Sequence, residues 1–231
     1  MTLDFYQILY KEEQRQELYP FAKPYFSVGI TPYFENAIIA GLVPMSQADY
    51  ISVCSWRLRK KRNDGYATVL LGYEEGTNET KTLTEERILN APPFDVAILT
   101  PHSPAHKPLG MAPNWHGSAW VNAFNAFKPF LSRFGKVPDE LKHSIYENHF
   151  IARKELYHEY ISTCLLPAIE FIGLDPVYYV DSSYVQKKRD QEEIKRVQSL
   201  LGTKDWPIMP FLLERLFGLF INSKSLKVIN L

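Results

Sequence analysis

The chain has 231 residues, of which 45% are hydrophobic and 14% aromatic, enough to bury one sizeable core. Its 26 basic and 26 acidic residues cancel to a formal net charge of zero, which disfavours a nucleic-acid-binding protein. The sequence shows no signal-peptide pattern and no apolar run of the ~20 residues that span a bilayer, so we expect a cytoplasmic protein without a transmembrane segment. Two cysteines, Cys54 and Cys164, lie in apolar segments, which predicts buried reduced thiols.

The first half of the chain alternates between predicted strands and helices. Three β-rich apolar runs, residues 3–10, 49–56 and 94–99, predict strands that we expect to be neighbours in one sheet. The second run is nearly continuous, which is typical of a strand covered on both faces. Residues 11–18 are predicted to form a charged turn or short helix, and residues 33–42 a helix. A short strand is predicted at residues 68–71 and a polar loop at residues 74–84.

The second half is predicted to be mainly helical. Residues 100–113 are rich in Pro, His, Ser and Gly and lack periodicity, which predicts a loop. Pro167 should kink one helix, which ends at Gly173. Strands that alternate with helices predict a single α/β domain with a mostly parallel central sheet flanked by helices. The predicted helices are residues 118–134, 154–172, 190–201 and 210–221, followed by a short strand at 226–231.

The last predicted helix carries two adjacent charges. Residues 210–221 are apolar almost all the way round, which indicates burial on every side, yet they include Glu214 and Arg215. Adjacent helical residues point about 100° apart, so these two cannot pair and each needs its own partner or a polar cleft. Either the pair faces a binding cleft, or it belongs to a buried ion-pair network that ties the helix to the sheet.

A basic run follows the second predicted strand. Directly after Trp56, residues 57–62 read Arg-Leu-Arg-Lys-Lys-Arg. In open α/β sheets ligands bind beyond the carboxyl ends of strands, which places Arg57 and Arg59 where a phosphate would bind. The alternative is a solvated basic turn.

The region around the predicted loop combines histidines with tryptophans. Its prolines disfavour a helix that would bring His102 and His106 to one face, so a metal site there is disfavoured. Trp115 and Trp120, with neighbouring amides, are typical of a wet surface that binds sugar rings or bases.

Motifs for metal and phosphate binding are sparse. Asp-x-Asp, with which one large class of nucleotide-sugar enzymes holds its divalent metal, does not occur. Asp181 follows an apolar run and is an isolated candidate ligand, which leaves a Mn²⁺ or Mg²⁺ cofactor open. The sequence also lacks phosphate-loop, dinucleotide-binding and Gly-x-Ser-x-Gly motifs, which disfavours nucleotide hydrolysis, hydride transfer and serine-esterase chemistry.

Five short segments occur in an order that one family shares. They are residues 49–57 (Asp-Tyr-Ile-Ser-Val-Cys-Ser-Trp-Arg), 94–98 (Phe-Asp-Val-Ala-Ile), 115–117 (Trp-His-Gly), 148–154 (Asn-His-Phe-Ile-Ala-Arg-Lys) and 214–217 (Glu-Arg-Leu-Phe). In these segments the chain resembles the bacterial capsular-polysaccharide-synthesis family of glycosyltransferases. It departs from the family pattern at Ser55 and Trp56, where the family has His-Tyr, and at Leu58, where it has a second arginine.

The resemblance implies a glycosyltransferase A-like fold in one domain, residues 1–231. A nucleotide-binding half would cover roughly residues 1–110 and an acceptor half roughly residues 111–231. The implied reaction moves a sugar from a nucleoside-diphosphate sugar to a glycan or lipid-linked acceptor in surface polysaccharide synthesis, which could bring the protein to the membrane surface. The alternative is a non-catalytic carbohydrate- or nucleotide-binding protein on the same scaffold.

The residue patterns and the resemblance together predict one site. Glu214 would be the base or a sugar-positioning group, and Arg215 or Arg57 would stabilise the departing diphosphate. The predicted substrate-binding residues are Trp56, Arg57, Asp95, His116, Trp120 and Asn148, and the predicted metal ligand is Asp181.

Overall fold

A computed structural model describes residues 1–27, 29, 31–63, 83–100, 108–135, 141–143, 145, 147–180 and 191–231. For residues 61, 63, 108–119, 191 and 193 it describes the backbone but not the side chain. The predicted strand at 68–71 and most of the predicted loop at 74–84 lie outside the described residues.

The centre of the molecule is a six-stranded sheet. Its strands are β1 (Leu3–Leu9), β2 (Lys23–Phe26), β3 (Tyr50–Ser55), β4 (Val96–Ile98), β5 (Phe150–Arg153) and β8 (Val228–Asn230), in the order β2-β1-β3-β5-β4-β8. All run in one direction except β5, which is antiparallel to both of its neighbours. The predicted α/β class with a mostly parallel sheet is therefore confirmed. A separate antiparallel pair is formed by β6 (Tyr179–Val180) and β7 (Trp206–Pro207).

Helices cover both faces of the sheet. They are α1 (Glu35–Leu42), α2 (Leu58–Asn63), α3 (Glu85–Leu89), α4 (Pro108–Leu131), α5 (Lys154–Tyr160), α6 (Leu166–Ile172), α7 (Gln191–Leu201) and α8 (Met209–Asn222). The larger core, on one face, joins α1, α4, α5 and α8, with Trp120, Tyr157 and Phe217 among its members. The smaller core, on the other face, includes Leu58 of α2 and Ile88 of α3. Strand β3 is buried along nearly its whole length between them, as its continuous apolar sequence predicts.

Strand β5 was not predicted as a strand. Phe150–Arg153 pair with both β3 and β4, and α5 begins directly after them at Lys154, where the sequence predicts the helix to begin. The three strands expected to be neighbours do share one sheet, but β5 separates β3 from β4. Because β5 and β8 come from the second half of the chain, the two halves together build the sheet.

The predicted loop at 100–113 is wrong in its second part. Helix α4 begins at Pro108, well before the predicted start at residue 118. Proline is favoured at the first helical position because the N–H that it lacks would have no intrahelical partner there. Within the described residues, no helix is long and apolar enough to cross a bilayer.

The long helix predicted at 154–172 is interrupted. It consists of α5, a π-helical turn at Ile161–Leu165, and α6, which ends at Gly173 with φ of 51°. Pro167 cannot donate a hydrogen bond to the preceding turn, and the π-turn ends two residues before it. Both cysteines are buried and free, which confirms their prediction as reduced thiols.

Candidate functional site

The order of the strands defines a crevice between β1 and β3. From β1 the chain moves outward to β2 and then returns to the opposite side of β1 as β3. In open α/β sheets, ligands bind outside the carboxyl ends of the strands at such a point of reversal. Here those ends lead into Tyr10 and into Trp56 and Arg57.

Glu35 lies at this crevice, at the first position of α1. Its side chain is partly buried, and the Tyr10 hydroxyl lies 3.5 Å from its Oε1. Burial raises the pKa of Glu35 to about 8, and the nearby Glu214 and Glu147 carboxylates contribute to the rise, while a hydrogen bond from Ser55 and the charge of Arg57 oppose it. Glu35 therefore exchanges a proton near neutral pH, as a general acid or base must.

Tyr10 is held in place by its backbone. Its N–H donates to Gln14 Oε1 at 2.7 Å, and its carbonyl accepts from Arg196 Nη2 at 3.3 Å. Burial, followed by the charge of Glu35, raises the pKa of Tyr10 far above its ordinary value, so its hydroxyl stays a neutral donor. Glu214 raises and Arg57 lowers that pKa, which places both charges near the same hydroxyl.

The residues after β3 supply a cation beside an aromatic ring. Arg57 is exposed, and its guanidinium carbon lies 5.4 Å from the centre of the half-buried Trp56 ring. The Arg57 N–H donates to Ser55 Oγ at 3.2 Å, which fixes the start of the turn. An exposed arginine and a ring at the strand end suit an anionic ligand with a planar group.

Residues that lead into β5 complete the crevice, because an antiparallel strand begins where its parallel neighbours end. His149 is buried, with its Nδ1 3.8 Å from Glu147 Oε2 and 3.3 Å from Thr100 Oγ1. Asn148, between Glu147 and His149 in the sequence, is 2% exposed. Glu147 and Asn148 both have φ near the left-handed value, at 57° and 56°.

Backbone strain is concentrated next to this site. Among the described residues, the non-glycine positions with positive φ are Phe34, Glu147 and Asn148. Phe34 immediately precedes Glu35, and the other two hold a second carboxylate that acts on Glu35. Such conformations cost about 1–3 kcal/mol each and persist at sites where surrounding packing imposes them.

The two adjacent charges of α8 have different surroundings. Glu214 is half-buried, and its charge acts on both Glu35 and Tyr10. The Arg215 guanidinium donates to the Phe211 carbonyl and lies 4.5 Å from the centre of the Trp120 ring. Glu214 thus joins the crevice, while the described contacts of Arg215 attach α8 to α4.

Trp120 has a different setting from the wet surface that was predicted. It is 1% exposed within α4, stacks with Phe124 at a centroid distance of 5.8 Å and lies against Arg215. Burial by these neighbours makes it part of the core.

Three other residues predicted for the site, Asp95, His116 and Asp181, are not placed at the crevice by the described structure. Asp95 precedes β4 and so lies at the opposite, amino edge of the sheet, where its Oδ1 pairs with Arg153 at 3.1 Å and its Oδ2 accepts from the Lys227 N–H at 2.8 Å. His116 lies within α4, where the structure describes the backbone alone, and Asp181 lies outside the described residues.

The acidic residues of the crevice do not form a metal-binding group. In the described part of the chain, no set of three or more His, Cys, Asp or Glu side chains could hold a metal ion. Glu147 and Glu214 are close enough to Glu35 to raise its pKa. The sequence analysis missed Glu35, Tyr10 and Glu147; one available signal was an acidic residue at the start of a helix that returns the chain to the sheet.

Comparisons with protein-family models, curated proteins and solved structures found no match to this chain. The resemblance to the capsular-polysaccharide-synthesis family and the glycosyltransferase A-like fold therefore stay predictions.

Proposed function

We propose that this protein is a glycosyltransferase that moves a sugar from a nucleoside-diphosphate sugar to a hydroxyl of a glycan or lipid-linked acceptor in surface polysaccharide synthesis. The observation that carries the proposal is the meeting of Glu35 and Arg57 at the point of strand reversal. This position is where open α/β sheets bind nucleotides. The five segments shared in order with the glycosyltransferase family give independent support.

In this proposal the residues of the crevice divide the work of sugar transfer. Glu35, with a pKa of about 8, takes the proton from the acceptor hydroxyl as that oxygen attacks the sugar carbon. Arg57 stabilises the negative charge that develops on the departing diphosphate, and Trp56 offers a ring for stacking. Glu214, which the sequence suggested as the base or a sugar-positioning group, instead raises the pKa of Glu35.

The test is sugar transfer by Glu35→Gln, with a panel of nucleoside-diphosphate sugars with and without Mn²⁺. Gln keeps the shape of the side chain but cannot accept the proton, so we expect transfer to fall by ~10²–10⁴-fold while donor binding is retained. In the wild type, kcat/KM should rise with pH through about 8 as Glu35 ionises.

Glu214→Gln is the matched comparison for this experiment. It removes a negative neighbour of Glu35, so the rising limb of the pH profile should move to lower pH with turnover largely kept. Normal turnover in Glu35→Gln, or abolished turnover in Glu214→Gln, would contradict the assigned roles. Donor binding without transfer by the wild type under every condition would favour the non-catalytic binding protein.

A further inference from the structure

A hydrogen bond joins the end of β1 to the proposed base. The Tyr10 hydroxyl donates to Glu35 Oε1 at 3.5 Å, and the two residues are 25 positions apart in the sequence. Tyr10 directly follows β1, and Glu35 is the first residue of α1. The bond therefore connects a strand end with a helix start at the crevice. Sugar transfer as proposed above uses Glu35 but gives Tyr10 no role.

Tyr10 is held in place independently of Glu35. Gln14, in a 3₁₀ turn after β1, accepts at Oε1 from the Tyr10 N–H at 2.7 Å and from the Lys11 N–H at 3.2 Å. Arg196 of α7 donates from Nη2 to the Tyr10 carbonyl at 3.3 Å. Side chains thus bind both polar groups of the Tyr10 main chain, and the Tyr10 ring packs against the larger core. These contacts limit where the hydroxyl can lie.

The main chain around Glu35 is also held by its neighbours. Phe34, which precedes it, has φ of 47° and packs its ring against Trp206 at a centroid distance of 5.9 Å. The N–H and the side-chain amide of Asn36 donate to the Tyr33 carbonyl at 3.1 and 3.2 Å. These contacts fix where the Glu35 side chain begins, but they do not set the direction of its carboxyl oxygens.

A carboxyl that exchanges a proton with a substrate needs a defined direction. The terminal torsion of a glutamate side chain is broad, so outside contacts determine where its two oxygens point. A hydroxyl that donates to one oxygen restricts this torsion, and it favours the ionised form because hydrogen bonds to a charged group are the stronger ones. Burial, followed by the charge of Glu35, raises the pKa of Tyr10, so the hydroxyl keeps the proton that it donates.

We propose that the Tyr10 hydroxyl positions the Glu35 carboxyl, holding Oε1 so that Oε2 exchanges the proton with the acceptor hydroxyl. Gln14 is the second positioning residue, because it fixes Tyr10 by accepting from two consecutive main-chain N–H groups. Neither residue exchanges a proton with the acceptor itself. The part played in catalysis rests on the proposed function, whereas the effect on the ionisation of Glu35 is a property of the free protein.

Other groups also set the ionisation of Glu35, and they come from several elements. The groups that act on it are Ser55 and Arg57 at the end of β3, Glu147 before β5 and Glu214 of α8. Cys54 of β3, Cys164 of the π-turn and Tyr157 of α5 stay neutral because burial raises their pKa values. Replacing Tyr10 by Phe changes none of these residues. A change in the Glu35 pKa in that variant can therefore be attributed to the lost hydroxyl.

The first measurement is an NMR titration of ¹³C-labelled glutamate carboxyls without substrate, with the Glu35 signal assigned through Glu35→Gln. Phenylalanine keeps the shape of the tyrosine ring, so Tyr10→Phe removes the hydrogen-bond donor and little else. We expect the pKa of Glu35 to rise by about 0.5–1 in this variant, which corresponds to the loss of one hydrogen bond of usual strength.

Tyr6→Phe is the matched control. The Tyr6 hydroxyl donates to Asp4 Oδ2 at 3.3 Å, so this variant loses the same kind of bond within β1. Asp4 lies near the amino end of the strand, away from the crevice, so the pKa of Glu35 should keep its wild-type value.

Gln14→Met tests the anchor of Tyr10. Methionine has a similar length but no oxygen to accept from the two N–H groups, so Tyr10 should lose part of its hold on Glu35. We expect the Glu35 pKa to rise, and the double variant with Tyr10→Phe to show no larger rise than Tyr10→Phe alone. If Gln14 acts on stability alone, Gln14→Met lowers the unfolding midpoint without moving this pKa, which would overturn its assigned role.

Sugar transfer completes the test. In Tyr10→Phe the rising limb of kcat/KM should move to higher pH, opposite to its movement in Glu214→Gln. An unchanged or lower Glu35 pKa in Tyr10→Phe would overturn the inference, even where transfer by the wild type supports the proposed function. A raised Glu35 pKa in Tyr10→Phe, with no transfer by the wild type under any condition, would uphold the effect of Tyr10 on Glu35 and reject the proposed function.

Discussion

Individual residues at the crevice combine opposite charges within a small region. Burial raises the pKa of Glu35, the nearby Glu214 and Glu147 carboxylates raise it further, and Arg57 partly offsets them. Arg57 is also the exposed member of this group, at the end of a buried strand. Because burial and like charges both disfavour ionisation, Glu35 holds its proton up to about pH 8, and Arg57 offers an anionic ligand an exposed cation at the site.

The role of Arg57 can be measured by calorimetric titration with uridine and guanosine diphosphate. Arg57→Ala should weaken binding of the nucleotide that the protein accepts by ~1.5–3 kcal/mol, the usual range for a hydrogen bond to a charged group. Lys60→Ala is the control, since Lys60 is an exposed cation of the same basic run on α2. Equal losses in the two variants would show that the general field of the run, rather than a contact by Arg57, attracts the nucleotide.

At the scale of elements, α8 is the helix that carries Glu214 to the crevice, and it is held at its middle and at its carboxyl end. Arg215 attaches it to Trp120 of α4. Near its carboxyl end, the Asn222 side chain accepts from the His143 N–H at 3.1 Å and donates to the His143 carbonyl at 2.7 Å. Gly218 lies between these contacts, where the segment that contains Leu141, His143 and Ile145 packs against the helix.

Gly218→Ala tests how closely that segment packs on α8. A Cβ there would meet the His143 carbonyl oxygen, the Ile145 nitrogen and Leu141 Cδ1, each at 3.6 Å, which is ordinary contact. Alanine also favours helix over glycine, so we expect the free energy of unfolding to rise by about 0.5–1 kcal/mol. Urea denaturation provides the measurement, with Gly218→Leu as the contrasting variant that must displace the segment and destabilise the protein. A destabilised alanine variant would mean that the approach is closer than the structure shows.

The whole molecule is coupled to the ionisation of Glu35. In the unfolded chain this carboxyl ionises near pH 4.5, whereas in the folded protein it keeps its proton up to about pH 8. Between these values the unfolded chain binds fewer protons than the folded one at this position, so the contribution of Glu35 to stability falls as pH rises. The contribution is fully present below about pH 4.5 and is lost by about pH 8.

Glu35→Gln removes this pH dependence because glutamine stays neutral. The free energy of unfolding of the variant, relative to the wild type, should rise by on the order of 2 kcal/mol between pH 5 and pH 8. This is less than the full linkage value because the side chain is partly open to solvent, which screens its charge. Denaturation curves of both proteins at several pH values supply the measurement. A difference that does not change with pH would contradict the raised pKa.

Local sequence patterns predicted the α/β class, strands β1, β3, β4 and β8, most of the helices and the position of Arg57 at a strand end. These features follow from local periodicity, from Pro and Gly signals, and from the rule that ligands meet the carboxyl ends of strands. Asp95 was predicted to bind substrate, but it lies at the edge of the sheet opposite the crevice. The sequence could have indicated this position, because a residue that precedes a strand parallel to β1 and β3 lies at the amino edge of the sheet.

The other features of the fold and site depend on contacts between distant parts of the chain. Strand β5 has four residues and exists because β3 and β4 offer it backbone partners on both sides, which no local pattern encodes. Likewise, Glu35, Glu147 and Glu214 come from a helix start, a strained turn and a buried helix far apart in the chain. The effect of Glu147 and Glu214 on the pKa of Glu35 depends on the distances between the carboxylates and on their burial. Distance and burial are properties of the packed fold rather than of any one segment.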